Sequence, residues 1–170
     1  SLTISKDQLE SMVKEVKGDP SEWQLMYLTS TILALDTHID FSELTYEFNA
    51  NIGSKTAAAD YSRSDKTIRI KHEGLNTVAH ETGHALDHKW GSELSPYDDY
   101  LTHRISLDKF TDPDVKNFVA HFYDFLEKLE AAADNRSEYM MSSHEVFARF
   151  VARFTEWARA TATNNRFNFE

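Results

Sequence analysis

The chain has 170 residues, 41% of them apolar, and 18 Lys plus Arg against 28 Asp plus Glu give a formal net charge of −10. A chain of this length buries roughly 70% of the surface its unfolded form exposes, so one ordinary globular domain needs no disulfide or structural metal to hold it. Three Pro, five Gly and 12% aromatics exclude collagen-like and low-complexity classes. The acidic balance opposes docking on a phosphate backbone, and the absence of cysteine leaves His and carboxylates to hold any metal.

No apolar run approaches the roughly 18 residues of a spanning helix, and the first twenty residues are too polar for a signal peptide. A soluble domain is expected, with no membrane partner and a sequence compatible with the cytoplasm. The chain begins at Ser1 rather than Met, which reads as a segment of a larger polypeptide.

In chain order, Ser5 and Gln8 stand in capping-box spacing, and Leu9, Met12, Val13 and Val16 predict a helix over about 5–17, closed by Gly18. Asp19 and Pro20 read as the N-cap and first position of a second helix, which continues through Trp23, Met26, Tyr27, Ser30, Leu33 and Ala34 to about 37. Leu44, Tyr46 and Phe48 then alternate with polar neighbours, and Thr67 to Ile70 form a β-branched run. The turn-forming residues 62–65 separate that run from 57–61, as in a hairpin. This is the only stretch expected to form a sheet. Helical patterns return over 75–90, 113–133 and 142–160, with 96–107 as a connection. Phe118, Phe122, Phe125 and Leu129 read as a core stripe. With no repeat and no linker, 1–170 is read as a single α+β domain, mostly helical, with one small mixed or antiparallel sheet.

His80-Glu81-Thr82-Gly83-His84 is an HExxH sequence within a predicted helix. At 3.6 residues per turn, residues four apart lie about 40° from each other on one face, where two imidazoles reach one ion. Glu81 is turned by about 100°, near enough to act on a water at the metal without being a ligand. Leu75, Val78, Ala79, Ala85 and Leu86 fall mainly on the far side as an apolar anchor, and Gly83 permits close approach of another backbone.

Two histidines leave a tetrahedral site one protein ligand short, with the fourth position kept for water. His88 stands about 80° around from His80 and reads as a surface histidine. Asp87, one turn past His84, is better suited to hold an imidazole N–H and fix its tautomer. Glu145 is the stronger candidate, since it opens the last helix on a face with Ala148 and Ala152, small enough for another helix to press close. The competing reading of Glu145 is a partner for the helix dipole.

The run from Val78 to Asp87, followed some sixty residues later by Tyr139-Met-Met-Ser-Ser-His-Glu145-Val-Phe-Ala-Arg149, resembles the gluzincin-like zinc metallopeptidase domains of phage and mobile-element polyproteins, the large polyvalent protein-associated type. It is more distantly similar to the catalytic domain of anthrax lethal factor. The resemblance covers about 57–154, leaves the N-terminal helices of 1–50 outside it, and implies a zincin-like fold with the sheet beside the HExxH helix. It implies Zn2+ held by His80, His84 and Glu145. It further implies a peptidase in which a metal-activated water attacks the peptide bond and Glu81 serves as general base. Tyr139 matches, at a spacing one residue shorter, a tyrosine that contacts the tetrahedral intermediate in the lethal-factor group. His144, His103 and His72 are further candidates for stabilising the oxyanion. Where that group carries an acidic residue one turn after the ligand Glu, this chain has Arg149, read as a group for a substrate carbonyl or carboxylate.

The expected partner is a protein or peptide substrate. Lys66 to Lys71, with Ile68 and Ile70, is expected to be an edge strand that adds an extended peptide. Arg149, Arg153, Arg159 and Arg166, spread among Glu156 and apolar residues, read as a solvated helix face and not as a nucleic-acid surface. The competing functional reading is a catalytically silent zincin-like module inside a larger phage or plasmid protein.

Overall fold

Ser5 and Gln8 exchange the reciprocal bonds of a capping box ahead of α1, Lys6–Met12. The computed structural model describes residues 5–37, 39–53, 57–71, 77–95, 99–132 and 142–169, with side chains through 161. The helix expected over 5–17 stops at Met12, because Val13 turns extended and Glu15–Lys17 forms a strand, β1. The Lys14 N–H donates to the Leu44 carbonyl, and β-branched Val13 and Val16 suit the extended backbone. Gly18 therefore follows a strand instead of ending a helix. The second helix, α2, spans Glu22–Leu35 and is capped by Ser21 and Gln24 instead of Asp19. A reciprocal box satisfies two orphan N–H groups where Asp19 would satisfy one.

Strand β2 is Thr45–Phe48, β3 is Ala59–Ser62 and β4 is Thr67–Ile70. They form one mixed sheet in the order β1-β2-β4-β3, with β1 and β4 parallel to β2 and β3 antiparallel to β4. The expected hairpin is present, and Asp60 pairs across it with Arg69 at 2.8 Å. The register aligns Val16, Tyr46, Ile68 and Tyr61 in one row and Phe48, Ile70 and Ala59 in the next, on the face that buries Tyr46, Phe48, Ile68 and Ile70. The sheet prediction missed β1, whose partner lies thirty residues downstream.

Three longer helices follow: α3, Thr77–Leu94; α4, Pro113–Ala132; and α5, Ser143–Phe169. The fold is α+β, mostly helical with one small sheet. No helix among the described residues is long and apolar enough to cross a membrane.

The chain groups into two compact units. The first joins 1–86 to 148–170 and holds the sheet, α1, α2, the start of α3 and most of α5. Its core is Leu9, Leu28, Ile32, the buried face of the sheet, Val78 and Val151. The second, 87–147, holds the rest of α3, short 3-10 turns at Leu101–His103 and Leu107–Lys109, α4 and the first turn of α5. There α4 buries Val119, Phe122 and Leu126. Phe125 remains 52% exposed, so the core face of α4 lies one position around from the expected stripe. Tyr123 accepts from the Ile105 N–H and donates to the Leu101 carbonyl, and burial pushes its phenol up to about 12.

Candidate metal centre

Helix α3 carries the HExxH residues on its first three turns. Val78, Ala79, Ala85 and Leu86 are buried as the pattern requires, while His80 and His84 stay partly exposed. The two imidazoles lie with ring centroids 5.1 Å apart and planes at 79°. Glu81, between them in sequence, is only 8% exposed.

The sheet fixes this turn of α3 through Thr82. Its hydroxyl donates to the Val78 carbonyl at 2.7 Å, so the 2.7 Å contact with Tyr46 takes its hydrogen from the phenol. Burial raises the pKa of Tyr46 above the ordinary tyrosine range, which keeps that donor protonated. On the next residue, a Cβ built on Gly83 would stand 3.0 Å from the Ala148 Cα and from the Val151 Cβ. A glycine on α3 against an alanine on α5 thus allows near contact of the two backbones, the role expected of Gly83 and Ala148.

Glu145 precedes Ala148 by three residues on the same continuous helix. Among the described residues, His80, His84 and Glu145 form a group able to hold one metal ion, each offering one ligand atom, with all three atoms within 4.8 Å of one another. Ligand bonds of roughly 2.0–2.2 Å in a tetrahedral zinc site place donors about 3.4 Å apart, closer than that 4.8 Å limit. Two imidazole nitrogens and a carboxylate oxygen are donors that several divalent ions accept, zinc among them. Glu145 is half-buried, and its N–H meets the Ser142 hydroxyl at 3.4 Å.

Other expected residues fall differently. Asp87 is fully buried, and the imidazole it meets is that of His144, at 3.4 Å, on the helix of Glu145. Its carboxylate also accepts from the N–H and the hydroxyl of Thr102, both at 2.8 Å. His88 is not a surface histidine: it is 4% exposed, with its ring against Tyr100, because this half of α3 packs on the 99–103 segment. His103 pairs with Asp99 and its ring lies 5.1 Å from that of His144. Arg149 is half-buried one turn past Glu145. Ile68 and Ile70 are fully buried in β4, which lies inside the sheet between β2 and β3, so the expected edge strand is a central one. On that side the sheet ends at β3, which reached the edge because the hairpin folds back outside β4. Tyr139, His72 and Leu75 lie outside the described residues.

Sequence reasoning passed over Thr102, in a connection with no periodic signal, and Tyr46, whose tie to Thr82 spans 36 residues. No family model matches the chain, and no curated protein or solved structure matches it either.

Proposed function

We propose that the chain is a zinc-dependent peptidase in which His80, His84 and Glu145 hold the ion and Glu81 moves the proton. The observation that carries this reading is the approach of the three ligand atoms, one from each residue, to within 4.8 Å of one another. A zinc ion bound there supplies Lewis acidity toward water and the substrate carbonyl.

The proton is assigned to Glu81, which directly follows His80 on α3 and is only 8% exposed. In the proposed reaction it accepts a proton from the water that attacks the peptide carbonyl carbon. It returns that proton to the amine nitrogen as the C–N bond breaks. The substrate proposed is a protein or peptide in extended form. Its place along the sheet is the outer side of β3, where the Ala59–Ser62 backbone ends the hydrogen-bonded ladder. Arg149, one turn beyond Glu145, is assigned to a substrate carbonyl or carboxylate.

The test is a peptide-library digest by wild type, by wild type with a chelator and by Glu81→Gln, each with its metal content measured. Cleavage lost to the chelator and lowered about 10²–10⁴-fold by Glu81→Gln, at unchanged metal content, is the expected result. Cleavage that survives both treatments overturns the proposal. Bound metal with every peptide intact in wild type replaces it with a zincin-like module that lacks turnover.

A further inference from the structure

Three elements of the second unit meet at one buried carboxylate. Asp87 comes from α3, Thr102 from the 3-10 turn Leu101–His103 and His144 from the first turn of α5. The Thr102 N–H donates to one oxygen of Asp87 and its hydroxyl to the other, both at 2.8 Å. Both bonds run into the carboxylate, so the single hydroxyl hydrogen of Thr102 is committed to it. The 2.7 Å contact between Thr102 Oγ1 and His144 Nδ1 therefore takes its hydrogen from the ring. The 3.4 Å distance from His144 Nδ1 to Asp87 Oδ2 agrees with the same N–H. This chain of bonds needs a hydrogen on His144 Nδ1, and the rings of Tyr100 and His103 each lie 5.1 Å from the His144 ring.

His144 is the residue before Glu145, and the first turn of a helix, with its orphan N–H groups, is the turn that frays most readily. We propose that Thr102 is a positioning residue: by joining His144 to Asp87 it fixes the first turn of α5 and holds Glu145 ready for the metal ion. This rests on the metal-centre reading above. The Thr102 hydroxyl is the joint, because it both donates to the carboxylate and accepts from the imidazole, which no other common side chain of its length except Ser does.

The experiment measures zinc affinity by chelator competition for wild type, Thr102→Val, Thr102→Ser and His144→Leu. Beside it, long-range nitrogen–proton correlation spectra of the metal-free wild type read the His144 tautomer. The expected results are an Nδ1–H ring, affinity weaker by about 10–100-fold in Thr102→Val and His144→Leu, and recovery to within about threefold of wild type in Thr102→Ser. His144→Leu leaves both Thr102–Asp87 bonds in place, so it still reads the effect should Thr102→Val fail to fold. An Nε2–H ring in wild type overturns the proposal, as does wild-type affinity in Thr102→Val or His144→Leu. A wild type that binds no zinc overturns the metal reading instead, and the tautomer still decides whether the hydrogen-bond chain is formed.

Discussion

The first half of α3 is held by a hydrogen bond to the sheet and by apolar closeness to α5, the second by a cluster of polar bonds. Around Gly83, contact with Ala148 and Val151 depends on a missing side chain, and such contact limits how near two helices come without choosing one rotation. Around Asp87, both carboxylate oxygens are engaged by a backbone N–H, a hydroxyl and an imidazole, and hydrogen bonds fix direction as well as distance. The division between the compact units falls between these two stretches, after Leu86. A bound ion is sensitive to errors well below an ångström in its ligands, so a centre drawing on both helices needs a limit on distance and a constraint on rotation.

Substitutions can separate these two kinds of support. The largest effect is expected at Gly91, on the polar half, where a Cβ would fall 2.3 Å from the Asp99 carbonyl oxygen and 2.5 Å from the Leu101 nitrogen. These are backbone atoms that cannot rotate away, so Gly91→Ala should cost about 3 kcal/mol in urea unfolding, more than its helix propensity returns. Gly83→Ala, on the apolar half, places its Cβ 3.0 Å from the Ala148 Cα and the Val151 Cβ and 3.4 Å from the Ala148 carbonyl oxygen, and should cost about 1 kcal/mol. Equal losses at the two glycines would remove the contrast.

A pH dependence is expected as well. Tyr123 in the second unit is held near 12 against an ordinary value of 10, so between pH 10 and 12 the folded chain keeps a proton that the unfolded chain has lost. Its contribution to stability is complete below pH 10 and disappears as the pH rises through 12. Tyr46 in the first unit acts with the same sign, through burial. Urea unfolding from pH 9 to 12 should therefore fall less steeply in Tyr123→Phe than in wild type, and an unchanged slope would contradict the assignment.

The parts of the molecule legible in the sequence are those decided within one helix. The common face of His80 and His84, with Glu81 turned from it, follows from helical spacing. Spacing leaves Glu145 open between a ligand and a partner for the helix dipole, and the resemblance favours the ligand. What spacing cannot reveal is a partner distant in the chain. Val13 and Val16 continue a helical stripe as well as they form a strand, and pairing with Thr45 to Glu47 decides between the two. Ile68 and Ile70 have the composition of a strand on either side of a sheet edge, and only the hairpin folding back through Ala59 to Ser62 makes β4 central. Thr102 lies in a connection where neither period applies, so its engagement with Asp87 and His144 has no local signature.

Everything proposed for function depends on one cation shared by α3 and the start of α5. Calorimetric titration of the metal-stripped chain with Zn2+ tests this most directly, beside His84→Ala, Glu145→Gln and Glu81→Gln. The account predicts one ion per chain in wild type and in Glu81→Gln, with affinity lower by at least about 100-fold in the other two. Wild-type binding in Glu145→Gln, or no binding in wild type, would contradict it.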